Sequence, residues 1–197
     1  MDDYTFNKIN KSNKSNHTSK SYGHVMKKFE YDVNEIIPNL WLGNYKSACN
    51  KYFLNTYKIK NIITIMDTFD EKYKYDNITY LTIPIKDKFV CNKNMNGIFD
   101  LTSVFIEKCL QKNEPVLVHC AKGHHRSAAL VVAYLIRFKK GDYVKCIEYI
   151  NKLRPYALRR DTCMSKHLFR YYLLLNNKTC EMVCSPHGTA HYCLCKN

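Results

Sequence analysis

At 197 residues, 46% hydrophobic and 13% aromatic, the chain is long enough for one packed domain and too apolar to be globally disordered. Its 31 Lys and Arg against 17 Asp and Glu leave a formal charge of +14, which favours anionic partners: phosphorylated protein, nucleic acid or acidic lipid. No apolar run approaches the roughly 18 residues of a membrane span. Ten cysteines without a disulfide framework, behind a polar N-terminal stretch, predict reduced thiols and a cytoplasmic location.

Residues 1–23, rich in Asn, Ser and Lys, show no apolar stripe and are expected to form a mobile polar arm. Residues 24–176 are expected to form the domain, and residues 177–197 a Cys/His-rich tail. "EIIPNLWLG" reads as a short edge strand with a turn at Pro38-Asn39. "NIITIMD" (61–67) is a continuous apolar run, the pattern of a strand buried on both faces, and "ITYLTIPI" (78–85) is a second strand. Between residues 96 and 111, Ile98, Leu101, Phe105, Ile106, Cys109 and Leu110 recur at helical spacing. "PVLVH" follows as another buried strand, then "SAALVVAYLIRF" as a helix apolar almost all round. Gly141 is expected to stop that helix and Asp142 to cap the next, with Tyr143, Val144, Ile147, Ile150 and Leu153 on one face. A last helix is expected over residues 162–175. Alternating buried strands and helices predict an α/β fold with a central, mostly parallel sheet flanked by helices on both faces. Ligands in such sheets sit at the carboxyl ends of the strands.

Cys120 lies at one of those ends, in "VHCAKGHHRSAALV". A thiol between a strand and a helix faces loop N–H groups and the positive end of the helix dipole, a setting that holds an anion. That anion can be a phosphate or the thiolate itself. Arg126 presents a flat fork of donors matching two phosphate oxygens. Gly123 permits a tight loop, Ser127 can donate to the sulfur, and His119 can orient the loop by bonding to its backbone. The loop is suited to hold a phosphate dianion over a thiolate.

His119, Cys120, Gly123, Arg126 and Ser127 form H-C-x-x-G-x-x-R-S, and the chain resembles the cysteine-based protein tyrosine phosphatase superfamily in this motif. "IIPNLWLGNYKSA" and "NEPVLVHCA" are similar to its dual-specificity branch, and to poxvirus-encoded members in particular, those of insect poxviruses among them. The resemblance covers roughly residues 35–175. It implies a protein tyrosine phosphatase-like fold and hydrolysis of phosphotyrosine and phosphoserine/phosphothreonine through a phosphocysteine. No cofactor or metal is implied.

The resemblance also assigns roles. Cys120 is the nucleophile and Arg126 binds phosphate and the transition state. Ser127 stabilises the departing thiolate, and His119 orients the loop and favours the thiolate. Ala121, Lys122, Gly123, His124 and His125 line the phosphate. The general acid is implied to be Asp87, 33 positions before the cysteine (120 − 87), with Asp67 and Asp70 as alternatives. Phosphorylated proteins are the implied partners.

Lys122, His124 and His125 make the loop basic, which leaves RNA 5′-triphosphate and phosphoinositide as alternative substrates on the same fold. A non-catalytic phosphoprotein-binding module is a further reading, which the intact Cys120, Arg126 and Asp87 oppose. Nucleic acid remains a partner the charge permits, and the N-terminal segment is a candidate for pairing two copies. For a viral protein the expected location is host cytoplasm or virion. Cys180, Cys184, His187, His191, Cys193 and Cys195 crowd the tail without paired Cys-x2-Cys knuckles, so an oxidisable tail is favoured over a zinc site. Cys49, Cys91, Cys109, Cys146 and Cys163 read as packing residues. Arg159 and Arg160 could contact acidic substrate, but a solvated face is the default reading.

Overall fold

The computed structural model describes residues 32–86, 93–159 and 162–178. Asp87, Cys91, Arg160, the arm expected at 1–23 and residues 179–197 of the expected tail lie outside them, and with them the N-terminal dimer segment and the Cys/His cluster. Among the described residues no helix is long and apolar enough to cross a membrane.

"EIIPNLWLG" forms two strands rather than one. β1 (Val33–Ile37) and β2 (Leu40–Asn44) pair antiparallel through the two-residue connection Pro38-Asn39. Proline presets one turn residue, and Asn39 takes φ 67°, a left-handed conformation that asparagine tolerates. β2 is therefore not an edge. It runs parallel to β5 (Val116–Cys120), which runs parallel to β3 (Asn61–Ile65), which runs parallel to β4 (Thr79–Ile83). The order is β1-β2-β5-β3-β4, so β5 is central and ends at Cys120.

Side chains alternate across this sheet. Leu40, Leu42, Ile63, Ile65, Val116 and Val118 enter the larger core. It is covered by α3 (Asn96–Gln111), α4 (Arg126–Lys139), α5 (Tyr143–Leu153) and α6 (Cys163–Leu175). Ile62 and Leu117 face the other way, against Phe53, Leu54 and Ile59. That face carries α1 (Tyr45–Ala48) and α2 (Lys51–Thr56), which are too short to show a stripe in sequence. Their starts are set by Asn44 and Asn50, whose side chains each accept an N–H three residues on at 3.0 Å.

α4 is the axis of the domain. Arg126 to Ile136 are all buried, and the helix touches α3, α5, α6 and the sheet. Its end differs from expectation. Lys140 takes the left-handed conformation at φ 53°, and the Gly141 N–H reaches back to Leu135 O at 3.1 Å. Gly141 is required for another reason, since a Cβ there would overlap Cys146 Sγ. Asp142 caps α5 as expected, accepting from Val144 N and Lys145 N at 2.9 and 3.1 Å.

The buried faces of two helices lie to one side of the expected stripes. α3 buries Phe99, Thr102, Ser103, Ile106 and Cys109, leaving Leu101 54% exposed. α5 buries Cys146, Ile147, Tyr149 and Ile150, with Val144 48% exposed. Small and weakly polar residues that a hydrophobic pattern omits carry the contact, because close helix packing around α4 favours them. Cys109 and Cys146 are buried free thiols and Cys49 is half-buried and free. Cys163 departs from the expectation of reduced thiols, being disulfide-bonded.

Candidate active site

β5 delivers Cys120 to the carboxyl end of the sheet, and α4 begins six residues later at Arg126. Between them the chain turns at Gly123, with φ +70°. A Cβ on Gly123 would sit 2.5 Å from Gly43 O and 2.9 Å from an Arg154 guanidinium nitrogen, so both backbone angle and space demand glycine.

The carbonyls of this loop all point outward and all have partners. Ala121 O accepts from Tyr45 N at 3.2 Å, and Leu158 N donates to His124 O at 3.0 Å. Arg154 donates through Nε to Gly123 O at 3.1 Å and through a terminal nitrogen to Lys122 O at 3.4 Å. In a trans peptide the next N–H is antiparallel to the carbonyl, and none of the described peptide bonds is cis. Pinning carbonyls 121–124 outward therefore turns the N–H groups of residues 122–125 inward. The Gly123 N–H reaches Cys120 Sγ at 3.2 Å. Ser127 Oγ donates to the same sulfur at 3.3 Å. This is an anion nest at a helix N-terminus, with the thiol at its floor.

Arg154 is itself fixed. It pairs with Asp32 at 2.7 Å and donates to Asn34 Oδ1 at 2.9 Å, with its side chain only 3% exposed. Arg126, also buried, donates to Ile85 O at 2.9 Å beyond the end of β4.

Residues 40–172 match the family described as dual specificity phosphatase, catalytic domain. The chain belongs to that family. It is 37% identical over 110 residues to the dual specificity protein phosphatase OPG106 of Variola virus, a stretch covering 55% of this chain and 61% of the viral protein. The chain thus spans about three fifths of the length of the poxvirus relatives it matches. It is 31% identical over 126 residues to dual specificity protein phosphatase 1B of Arabidopsis thaliana, covering 64% of this chain and 74% of that one. Among solved structures, the human tyrosine phosphatase-like serine/threonine/tyrosine-interacting protein superposes with a TM-score of 0.64 at 29% identity, over 72% of this chain and 96% of that one.

His119 lies on the face of β5 opposite the larger core. Its Nε2 meets Thr64 Oγ1 at 2.8 Å on β3, and its ring packs on Phe69. Burial pushes its pKa down to about 4, only partly offset by a hydrogen bond with the Cys120 backbone that favours the protonated ring. The imidazole is neutral at pH 7 and supports the loop by packing rather than by charge.

Lys122 and Ala121 are exposed, while His124 and His125 are half-buried. These residues line a cavity of about 580 Å³ with Cys120, Arg126, Tyr156 and Arg159. Of the alternative acids, Asp67 is exposed. Asp70 is paired with Lys72 at 2.7 Å, and the Lys72 side chain and N–H hold its carboxyl below the usual range. A carboxylate kept ionised is a poor proton donor. Asp87 lies outside the described residues, two positions beyond Ile85, whose carbonyl holds Arg126.

Arg154, Asp32 and Asn34 escape sequence reasoning because their partners are up to 120 residues away. Nothing local marks them. Arg159 is exposed, as expected of a solvated face, and also lines the cavity that contains Cys120.

Proposed function

We propose that this chain hydrolyses phosphotyrosine and phosphoserine/phosphothreonine in proteins through a phosphocysteine intermediate. The observation that carries the reading is the outward anchoring of carbonyls 121–124, which converges loop N–H groups, Ser127 and the α4 N-terminus on Cys120 Sγ.

In the first step the Cys120 thiolate attacks phosphorus. The S–P bond forms as the P–O bond breaks, and Asp87 gives its proton to the leaving oxygen. Protonation matters even for tyrosine, whose phenolate has a conjugate acid pKa of about 10, and more for serine or threonine. In the second step water attacks phosphorus, Asp87 takes a proton from it, and sulfur leaves as thiolate with Ser127 Oγ–H donating to it. Arg126 and the inward N–H groups hold the equatorial phosphoryl oxygens in both transition states.

The test is phosphate release from matched phosphotyrosine and phosphothreonine peptides, with EDTA present and vanadate as inhibitor. Vanadate-sensitive turnover of both peptides supports the reading. Turnover of neither by folded protein, with triphosphorylated RNA or inositol lipid cleaved instead, replaces it with one of those activities.

A further inference from the structure

Ala121, the residue after the nucleophile, borders two cavities. One is the cavity that contains Cys120. The other, of about 470 Å³, is lined among the described residues by Tyr45, Met66, Thr68, Phe69 and Asp70 as well as Ala121. Its lining is mostly apolar, with two aromatic rings and a thioether, and the Asp70 carboxylate is paired with Lys72 at 2.7 Å.

The walls are held in place by the protein itself. Tyr45 opens α1, and its backbone N–H donates to Ala121 O at 3.2 Å, which ties this wall to the catalytic loop. Met66, Thr68 and Phe69 lie in the segment that leaves β3. There Asp70 caps a single 3-10 turn, Glu71–Tyr73, by accepting from Lys72 N at 3.1 Å. Tyr80 on β4 donates its hydroxyl to Tyr73 O at 3.4 Å and accepts from Tyr75 N at 3.1 Å. Tyr75 in turn donates to Cys49 O, just past α1, at 3.4 Å. The segment is thereby fastened to β4 on one side and to the end of α1 on the other. Phe69 meets Tyr45 edge to face at 5.7 Å and packs on His119 at 5.4 Å. Both Tyr45 and Phe69 stay half-buried, so an entering apolar side chain removes more of their surface from water. A cavity already formed asks for little ordering when it is filled.

We propose that this cavity is a subsite for an aliphatic or aromatic side chain of the protein substrate, one or two positions from the phosphorylated residue. Ala121 sets the place. With the phosphoryl group on the Cys120 side of it, peptide positions about 3.8 Å apart carry a neighbouring side chain to the Tyr45 and Phe69 side. The inference rests on the proposed phosphatase reading.

The experiment uses the full chain and phosphotyrosine peptides carrying Ala, Leu, Phe or Glu at the first or second position on either side. At one such position, wild type should hydrolyse the Leu or Phe peptide with kcat/KM roughly three- to tenfold above the Ala peptide, less than an enclosed pocket gives. The gain should lie mainly in KM, and Glu there should gain nothing over Ala. Each variant is read by its own ratio of Leu to Ala, which a general loss of fold or rate does not move. Tyr45→Ala removes a ring but keeps the N–H that holds Ala121 O, and should bring the ratio to about one. Tyr45→Phe keeps the ring and should keep the ratio. Met66→Gln keeps the length, replaces the thioether by an amide, and should lower the ratio. Tyr52→Ala, on α2 at 63% exposure and outside the lining, should leave it unchanged. Equal turnover of all peptides, or a gain as large for Glu, overturns the inference and leaves the phosphatase reading standing. So does a preference that survives Tyr45→Ala, or Met66→Gln where Tyr45→Ala does not fold. Cleavage of 5′-triphosphorylated RNA or inositol lipid by folded protein that turns over no peptide overturns both.

Discussion

Arg126 Nη1 donates to the backbone carbonyl of Ile85 at 2.9 Å, tying the phosphate loop to the segment that leaves β4. Asp87 is two residues further along the chain. In the proposed reaction Arg126 binds phosphate and Asp87 is the general acid, and the bond to Ile85 O ties Arg126 to the last described residues before that aspartate. Asp87→Asn should lower kcat/KM by about 10²–10⁴ on phosphothreonine peptide. The loss should shrink for an aryl phosphate with a strongly acidic phenol. Full activity of the variant on phosphopeptide would move the acid elsewhere.

Ser127 donates to Cys120 Sγ at 3.3 Å, a bond of most value when sulfur leaves as an anion. A hydrogen bond to a charged group contributes about 1.5–3 kcal/mol, or roughly ten- to a hundredfold in rate. Ser127→Ala should slow breakdown of the intermediate by that factor, so phosphoenzyme accumulates and an initial burst appears in rapid-quench kinetics. Cys120→Ser should show no turnover. A Ser127→Ala enzyme with normal kcat and no burst would show that the bond is structural only.

The Arg154 guanidinium holds two outward carbonyls of the phosphate loop and pairs with Asp32. Arg154→Ala leaves Gly123 O and Lys122 O without these donors, at about 1–3 kcal/mol for each buried group that stays unsatisfied. Unfolding midpoints in denaturant should fall. Because loop carbonyls set the direction of the N–H groups, kcat on a small aryl phosphate should also fall, by roughly tenfold or more. Loss of stability with kcat intact would confine Arg154 to a structural role.

His119 is neutral in the fold, its pKa pushed from 6.5 to about 4 by burial. The unfolded chain binds a proton here between those values and the folded chain does not. Stability from this group is therefore full above about pH 6.5 and is lost as pH falls toward 4, by about 3 kcal/mol in total. His119→Asn should flatten that part of the stability–pH curve in denaturant titrations. An unchanged slope would assign the acid sensitivity to other groups.

A Cβ at Gly141 would overlap Cys146 Sγ, although the residue's φ is not in the left-handed region. Gly141→Ala should destabilise by about 1–3 kcal/mol through overpacking, and Gly141→Ala with Cys146→Ala should recover most of it. Thermal melting of the single and double variants measures both. No recovery in the double variant would mean the strain lies in the backbone.

Much of the fold is legible along the chain because its signals are local. The five-residue β3 and β5 are buried at every position and read as continuous apolar runs. Asn96–Gln111 is a helix with the expected limits. α1 and α2 are not legible, since helices of four and six residues make less than two turns and rest on asparagine caps. Val144 and Leu101 look like core and are exposed, because helix phase is set by what packs against α4 and not by hydrophobicity alone.

The alternating strands and helices, the placement of Cys120 at a strand end, and the loop with glycine inside and arginine and serine after are all written locally in the chain. Each depends on residues within a few positions of one another. Long-range packing sets Arg154, 31 residues from Gly123, where it turns the loop amides inward. It alone brought Ile85 to Arg126 across 41 residues, and set Arg159 on Tyr156 above the nucleophile. Those relationships depend on where β1, β4 and the loop after α5 meet in space, and an arginine's partner over such distances leaves no mark in the residues beside it.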